Sequence, residues 1–289
     1  MDTANLTAFL AVAKSGSFSQ AADMLHLTQP AVSKRIATLE HQLGARLFDR
    51  IGRHISLTEA GRALLPRAGQ VLQTLEDTRR ALSNLSSKVE GRLVLGTSHH
   101  IGLHRLPPVL RQFTSRYPDV ALDIRFLDSE VAYDQVLHGE IELAVITLAP
   151  TLDEPIVARH IWDDPLDFVV SPEHPLADYG SVTLSELGRF PAVFPGPSTF
   201  THRVVSRLFQ REEVVPQISM TTNYLETIKM MVSIGLAWSV LPRTMVDEQV
   251  TPLTVANGDI SRQLGCIWHS GRTLSNAGRA MVEMLQTDG

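Results

Sequence analysis

The sequence predicts an α/β protein in three parts: a small helical head closed by a two-stranded wing, a long linker helix, and a larger body in two α/β halves. Three observations predict it. Two short apolar stripes of helical spacing, separated by a tight turn, lie within residues 17–43. A four-three apolar repeat then runs through residues 64–89, the spacing of a paired helix. From residue 92 onward short apolar strands alternate with helical segments, which argues for βαβ units and a parallel sheet. A chain of 289 residues is long enough for two or three domains, each with a core of its own.

In the head, residues 3–14 form a first helix with Leu6, Phe9, Leu10 and Ala13 inward. Ser17 with Gln20 has the pattern of a capping box, so a second helix starts near Phe18 and buries Phe18, Ala21, Ala22 and Leu25. Thr28 offers the next N-cap, and Pro30 falls in a first turn, where its missing N–H costs little. Val32, Ile36, Leu39 and Leu43 then share an inward stripe, which turns Gln29, Ser33 and Lys34 outward. An amide, a hydroxyl and a cation suit base edges and phosphates in a major groove. A solvated helical hairpin has the same spacing, and spacing alone does not separate the two.

The segment ARLFDRIGRHISLT alternates about Gly52 as a short hairpin would, and Arg46, Arg50 and Arg53 crowd it. Residues 1–85 hold ten Lys/Arg against seven Asp/Glu, on a chain of net charge -5. The head is therefore basic and the body acidic, which fits a nucleic-acid head on a body that does not bind DNA. Thr58 caps a helix expected to reach about Lys88, with Leu64, Ala68, Val71, Leu75, Thr78, Leu82, Leu85 and Val89 along one seam. That regularity predicts self-pairing of two chains, and Pro66 predicts a kink. In the body the predicted strands are 92–97, 120–127, 141–147, 166–170, 191–194, 217–221, 236–241 and 263–268. Helices are predicted at 103–117, 131–137, 199–210, 224–235 and 275–286.

Residues 1–65, in particular LTAFLAVAKSGSFSQAADMLHLTQPAVSKRIATLEHQLGARLFDR followed by ISLTEAG, resemble the DNA-binding region of LysR-type transcriptional regulators. The resemblance implies a winged helix-turn-helix whose DNA contacts fall on Thr28, Gln29, Pro30, Ser33 and Lys34, with Arg50 and Arg53 on the wing. Gln29 and Ser33 would then reach base edges, and Lys34 and the arginines would hold phosphates. The body is similar to the family's effector domain, itself like a type 2 periplasmic binding protein, through Leu106-Pro107, HPLA at residues 174–177 and ETIKMMVSIGLAWSVLP at residues 226–242. The expected organisation is a winged helix-turn-helix at 1–57, a dimerising linker helix at 58–89 and an effector-binding domain at 90–289. Its first lobe would comprise 92–161 and 267–289, and its second 162–266.

Ligands of open α/β sheets collect beyond the carboxyl ends of strands, against helix N-termini. Those ends, and the resemblance, give Ser98, His99, His100, Ser129, Thr147, Ser198, Thr199, Thr201 and Asn223 as effector contacts. Many family members carry a hydroxyl where His100 stands, and the imidazole suggests a ligand with an acceptor group, a small organic acid. No buried lysine or arginine is evident among these loops. A helix cap or a turn is the plainer role for each hydroxyl.

His99, His100 and His104 are also metal-ligand types, with His100 and His104 at i, i+4. No carboxylate stands in the same segment and Gly102 lies between them, so no metal is expected. Ser98 beside His99 lacks the G-x-S-x-G elbow of a nucleophilic serine, and no G-x-G-x-x-G or G-x-x-x-x-G-K-[ST] loop is present. No enzyme activity and no cofactor are expected. Cys266 is the only cysteine, which excludes an intrachain disulfide and a zinc finger. The longest apolar run, residues 230–241, is broken by Ser233, Gly235 and Ser239 and is shorter than the roughly 20 residues a bilayer requires. A cytoplasmic protein is expected, free of membrane, whose partners are an operator duplex, a small-molecule effector, further copies of itself in a homodimer or homotetramer, and RNA polymerase. The alternative is a cytoplasmic solute-binding module whose basic head serves a protein partner.

Overall fold

The computed structural model describes residues 1–51, 54–152 and 154–287, and for Arg50, Ile51 and His54 the backbone alone. The described chain falls into two units, Met1–Leu85 and Ser86–Gly289. Among the described residues no helix is long and apolar enough to cross a membrane.

In the first unit, helix α1 (Thr3–Ser15) starts where the Asp2 carboxylate accepts the Ala4 N–H at 3.1 Å. Helix α2 (Phe18–Met24) starts at Ser17, whose hydroxyl accepts the Gln20 N–H at 3.3 Å. The return half of the expected capping box is not made, because the Ser15 hydroxyl already takes the Ser17 N–H. Helix α3 (Gln29–Leu43) begins after Thr28, which holds the N-cap position without a side-chain cap bond. Val32, Ile36 and Leu39 are buried, whereas Leu43 is 39% exposed. The helix stops at Leu43 and the chain turns away through Gly44 at φ 66, so the stripe ends one residue before the sequence pattern does.

Strands β1 (Phe48–Ile51) and β2 (His54–Leu57) pair antiparallel with Phe48 opposite Leu57, the expected wing. Glu40 of α3 holds its base: Oε1 accepts the Leu47 N–H at 2.7 Å. Phe48 meets the rings of Phe9 and Phe18 at 5.4 and 5.9 Å, which joins wing and helices in one core. Helix α4 (Glu59–Ser83) is capped by Thr58 and runs through Pro66. Ala68 is buried with Leu64 and Leu72 against the head core, while Val71, Leu75 and Leu82 stay exposed.

The second unit contains, in order, β3 (Gly91–Thr97), α5 (His99–His104), α6 (Leu106–Arg116), β4 (Val120–Phe126), α7 (Ser129–Leu137), β5 (Leu143–Thr147) and β6 (Ile156–Val170). It continues with α8 (Leu184–Leu187), β7 (Pro191–Phe194), α9 (Phe200–Arg211), β8 (Gln217–Thr221), α10 (Leu225–Ser233), β9 (Ser239–Pro242), β10 (Thr251–Leu253), β11 (Ile260–His269) and α11 (Asn276–Thr287). The linker helix is shorter than expected. Asn276 donates to the carbonyls of Ser86 and Lys88 at 2.8 and 2.9 Å, and Val89 packs on the core of this unit.

The sheet is mixed rather than parallel. Its order is β10-β6-β11-β5-β3-β4, with β9 also on β6. β3 runs parallel to β4 and β5, whereas β6 and β11 are antiparallel to each other and to their other neighbours. The reason is connectivity: the chain leaves the first lobe along β6 and comes back along β11. Leu95, Ile101, Phe113 and Met281 centre the first lobe's core, and Phe168, Phe194, Phe209 and Trp238 the second's. β6 is fifteen residues long, not five, since Asp163, Asp164 and Pro165 lie in mid-strand and mask its pattern. The single helix expected at 103–117 is two helices, with Arg105 between them at φ -115. Pro107 and Pro108 follow at once and supply no N–H to the turn before them.

Between Leu264 and Gly265 the β6–β11 register slips, leaving Ile161 unpaired in a bulge where the chain crosses between lobes. A Cβ on Gly265 would lie 2.1 Å from the Arg159 carbonyl oxygen and 3.0 Å from Leu148 Cδ1. Gly265→Ala is accordingly expected to destabilise the chain by about 1–3 kcal/mol, measured as a lower urea midpoint, whereas Gly69→Ala, with nothing within 4 Å of its Cβ position, should not.

Candidate functional site

The outward face of α3 begins with Gln29, whose side-chain Nε2 donates to the Ser33 hydroxyl at 3.0 Å. The bond holds an amide and a hydroxyl side by side one helical turn apart. Thr28, Pro30 and Lys34 are exposed beside them, and the Thr28 hydroxyl is not used as a cap. Arg50 stands on β1 opposite Ile55. Arg53 lies outside the described residues. The head thus presents a polar, partly cationic ridge next to its wing.

In the second unit one small cavity of about 60 Å³ lies between the lobes. Ser98, His99 and His100 line it from the end of β3, Ser129 and Thr147 from α7 and β5, and Thr199, Thr201 and Asn223 from the second lobe. Ser198 is not in the lining; its carbonyl accepts from Arg203 at 3.1 Å. Helices α5, α7, α9 and α10 all begin here, so four positive helix ends converge on the cavity. The N-cap residues of α5, α7 and α10, namely Ser98, Asp128 and Tyr224, make no side-chain cap bond.

Several hydroxyls do have structural partners. Ser129 accepts the Thr147 N–H at 3.2 Å, and Thr199 caps α9 by accepting the His202 N–H at 3.1 Å. Thr201 accepts from Arg262 Nη1 at 2.7 Å. Asn223 accepts the Gly196 N–H and donates to Asp128 at 2.7 Å across the cleft. Glu130 also crosses it, accepting the Phe200 N–H at the start of α9. Its burial in that position raises the carboxyl pKa above the ordinary 4.5, against the opposing pull of the same N–H.

Sequence reasoning missed the charged floor. Arg262, 5% exposed, lines the cavity and donates from Nε to Asp164 at 2.7 Å, and Asp164, 0% exposed, also takes Arg105 at 3.3 Å. Arg262 and Asp164 face each other in the β6–β11 ladder. The signal was present: Ile260, Arg262 and Leu264 alternate inward along β11, with the arginine in a core position. His100 is neutral rather than cationic, because burial, followed by the Arg262 guanidinium, pushes its pKa down to about 3. Burial likewise pushes the Cys266 thiol up to about 11, which keeps it protonated.

A basic-winged helix-turn-helix joined to a two-lobed domain with a buried polar cavity defines a ligand-responsive DNA-binding regulator. Residues 3–62 match the model of the bacterial regulatory helix-turn-helix protein, lysR family, and residues 86–289 match the LysR substrate binding domain. The chain belongs to the LysR family of transcriptional regulators. It is 72% identical, over 108 residues covering 37% of this chain and 75% of the relative, to an uncharacterized HTH-type transcriptional regulator in the ibpB-leuC intergenic region of Azotobacter vinelandii. Its fold is similar to that of full-length CbnR complexed with its target DNA, at TM-score 0.68 and 21% identity over 100% of both chains. It is also similar to the effector binding domain of QuiR in complex with shikimate, at TM-score 0.64 and 18% identity over 70% of this chain and 98% of that one.

Removing one partner of the floor leaves a buried charge without its counterion. Asp164→Ala is expected to cost about 3–5 kcal/mol in urea unfolding, with part of the loss recovered when Arg262→Leu is added, because Arg105, whose side chain is 23% exposed, is then the one cation of the floor left without the carboxylate.

Proposed function

We propose that the protein holds a small carboxylic acid in the cavity between its lobes and that this acid controls how the α3 ridge engages operator DNA. The observation that carries the reading is the convergence of four helix N-termini with buried Arg262 on one cavity. Such a place favours an anion. The chain's own Glu130 carboxylate already occupies the start of α9, which supports an acid as the ligand. A ligand carboxylate arriving at α9 would replace Glu130, and with it one of the links across the cleft. The lobes then settle in a different closure, since the acid binds one state better than the other. QuiR, whose effector domain has a similar fold, binds shikimate, itself a carboxylic acid.

On the DNA side, Gln29 and Ser33 are assigned to base edges and Lys34, Arg50 and Arg53 to phosphates, with Thr28 and Pro30 as further contacts. Val71, Leu75 and Leu82 form an exposed apolar row on α4 at helical spacing, which supports pairing with a second copy. A dimer places two ridges on a partly symmetric operator. The small cavity suits an acid of few heavy atoms.

Two experiments test this reading. In thermal-shift measurements of the full chain, small mono- and dicarboxylates should raise the melting temperature and their amides should not; stabilisation by the amides alone would overturn the acid assignment. In operator binding, Ser33→Ala or Gln29→Ala should lose about 1–3 kcal/mol of discrimination between operator and random duplex. Lys34→Ala should weaken both duplexes alike and lower the salt slope by about one.

A further inference from the structure

We propose that His100, His104 and Glu226 form a binding site for a first-row divalent transition ion of zinc type, at the edge of the effector cavity, with which it shares His100. A ring nitrogen of each histidine and a Glu226 carboxylate oxygen lie within 4.8 Å of one another. His104 Nε2 is already 3.3 Å from Glu226 Oε1, and the two imidazole rings are 4.9 Å apart between centroids. Two histidines at i, i+4 on one helix face with one carboxylate make a three-ligand set that leaves a fourth position for water.

His100 points to a ligand on separate grounds. Its side chain belongs to a residue only 4% exposed, yet neither Nδ1 nor Nε2 has a hydrogen-bond partner among the described residues. A buried imidazole with both nitrogens unpartnered is costly, and a metal ion would satisfy one of them. His104 and Glu226 have side chains 40% and 43% exposed, so an ion can enter from solvent through the depression they share with Lys229.

The sequence argued against a metal because no carboxylate stood near the histidines and a glycine separated them. Folding removes both objections. Glu226 comes from 122 residues away on α10. Gly102 is where α5 presses on β4, since a Cβ there would lie 2.4 Å from Phe126 Cε1, and the helix keeps its two histidines on one side.

The charges around the site decide which ion. Arg105 and Arg262 oppose a cation, Asp164 takes hydrogen bonds from both, Glu226 is a ligand, and Lys229 is paired with Asp247 at 2.5 Å. With so little excess negative charge, magnesium or calcium would gain little. An ion that bonds strongly to imidazole is favoured instead. Because α5 belongs to the first lobe and α10 to the second, the bound ion ties the lobes together at a point apart from Glu130 and Asn223.

The test uses the full-length chain without an affinity tag, stripped with chelator and titrated with Co²⁺ and then Zn²⁺. The expected result is a cobalt absorption band that saturates at one ion per chain and is displaced by zinc. Zinc should also raise the wild-type melting temperature. His104→Ala and Glu226→Gln should each lower zinc affinity more than about tenfold and abolish the zinc-dependent shift relative to the variant's own metal-free melt. That internal reference keeps the comparison valid should a variant be less stable. The proposal is overturned by absence of a saturable cobalt signal, or by zinc affinity in both variants within about twofold of wild type, which would place the ion on other histidines.

Discussion

The second unit depends on one buried ion pair. Arg262 and Asp164 face each other on the two strands that cross between the lobes, and the carboxylate also receives Arg105. Charges this deep persist only when paired and hydrogen-bonded. Here the pairing ties β6 to β11, and Nη1 of the same guanidinium reaches Thr201 of α9. The same contact therefore sets the strand crossing, seats a helix of the second lobe and furnishes the cavity with positive charge. Gly265 does the complementary work one bulge away, where only a residue without Cβ can approach the Arg159 carbonyl.

Around that floor the cavity balances convergent helix ends against the chain's own acids. Asp128 and Glu130 come from the first lobe, and their partners Asn223 and Phe200 from the second. Each bond spans the cleft, so each is broken or remade when the lobes move. Under the function proposed above, a ligand anion would compete with Glu130 for the same amide and so link occupancy to closure. The head shows a similar economy: Glu40 joins α3 to the base of the wing through the Leu47 and Phe48 amides.

Local pattern was a good guide wherever a helix or strand satisfied itself locally. Helices α1, α2 and α3 followed from apolar spacing and from Ser17, Thr28 and Pro30, and the wing followed from alternation about Gly52. The failures fall where distant parts of the chain supply the partner. The Gln20 half of the capping box lost to Ser15. The linker helix ends at Ser83, and beyond it Ser86 and Lys88 are held by Asn276, far along the chain. The first ten residues of β6 looked irregular because Asp164 and Pro165 are polar and donor-less, features that make sense only beside Arg262 and on this ladder.

The sequence by itself determined the family, the order of the parts and most of the loops that meet at the cavity, because periodicity, caps and turns are properties of neighbouring residues. Tertiary structure decided the rest. It set the antiparallel crossing, the burial of Arg262 with Asp164, the neutral state of His100 and the meeting of that histidine with Glu226. These depend on distance and desolvation between residues far apart in the chain, and no local pattern encodes either quantity.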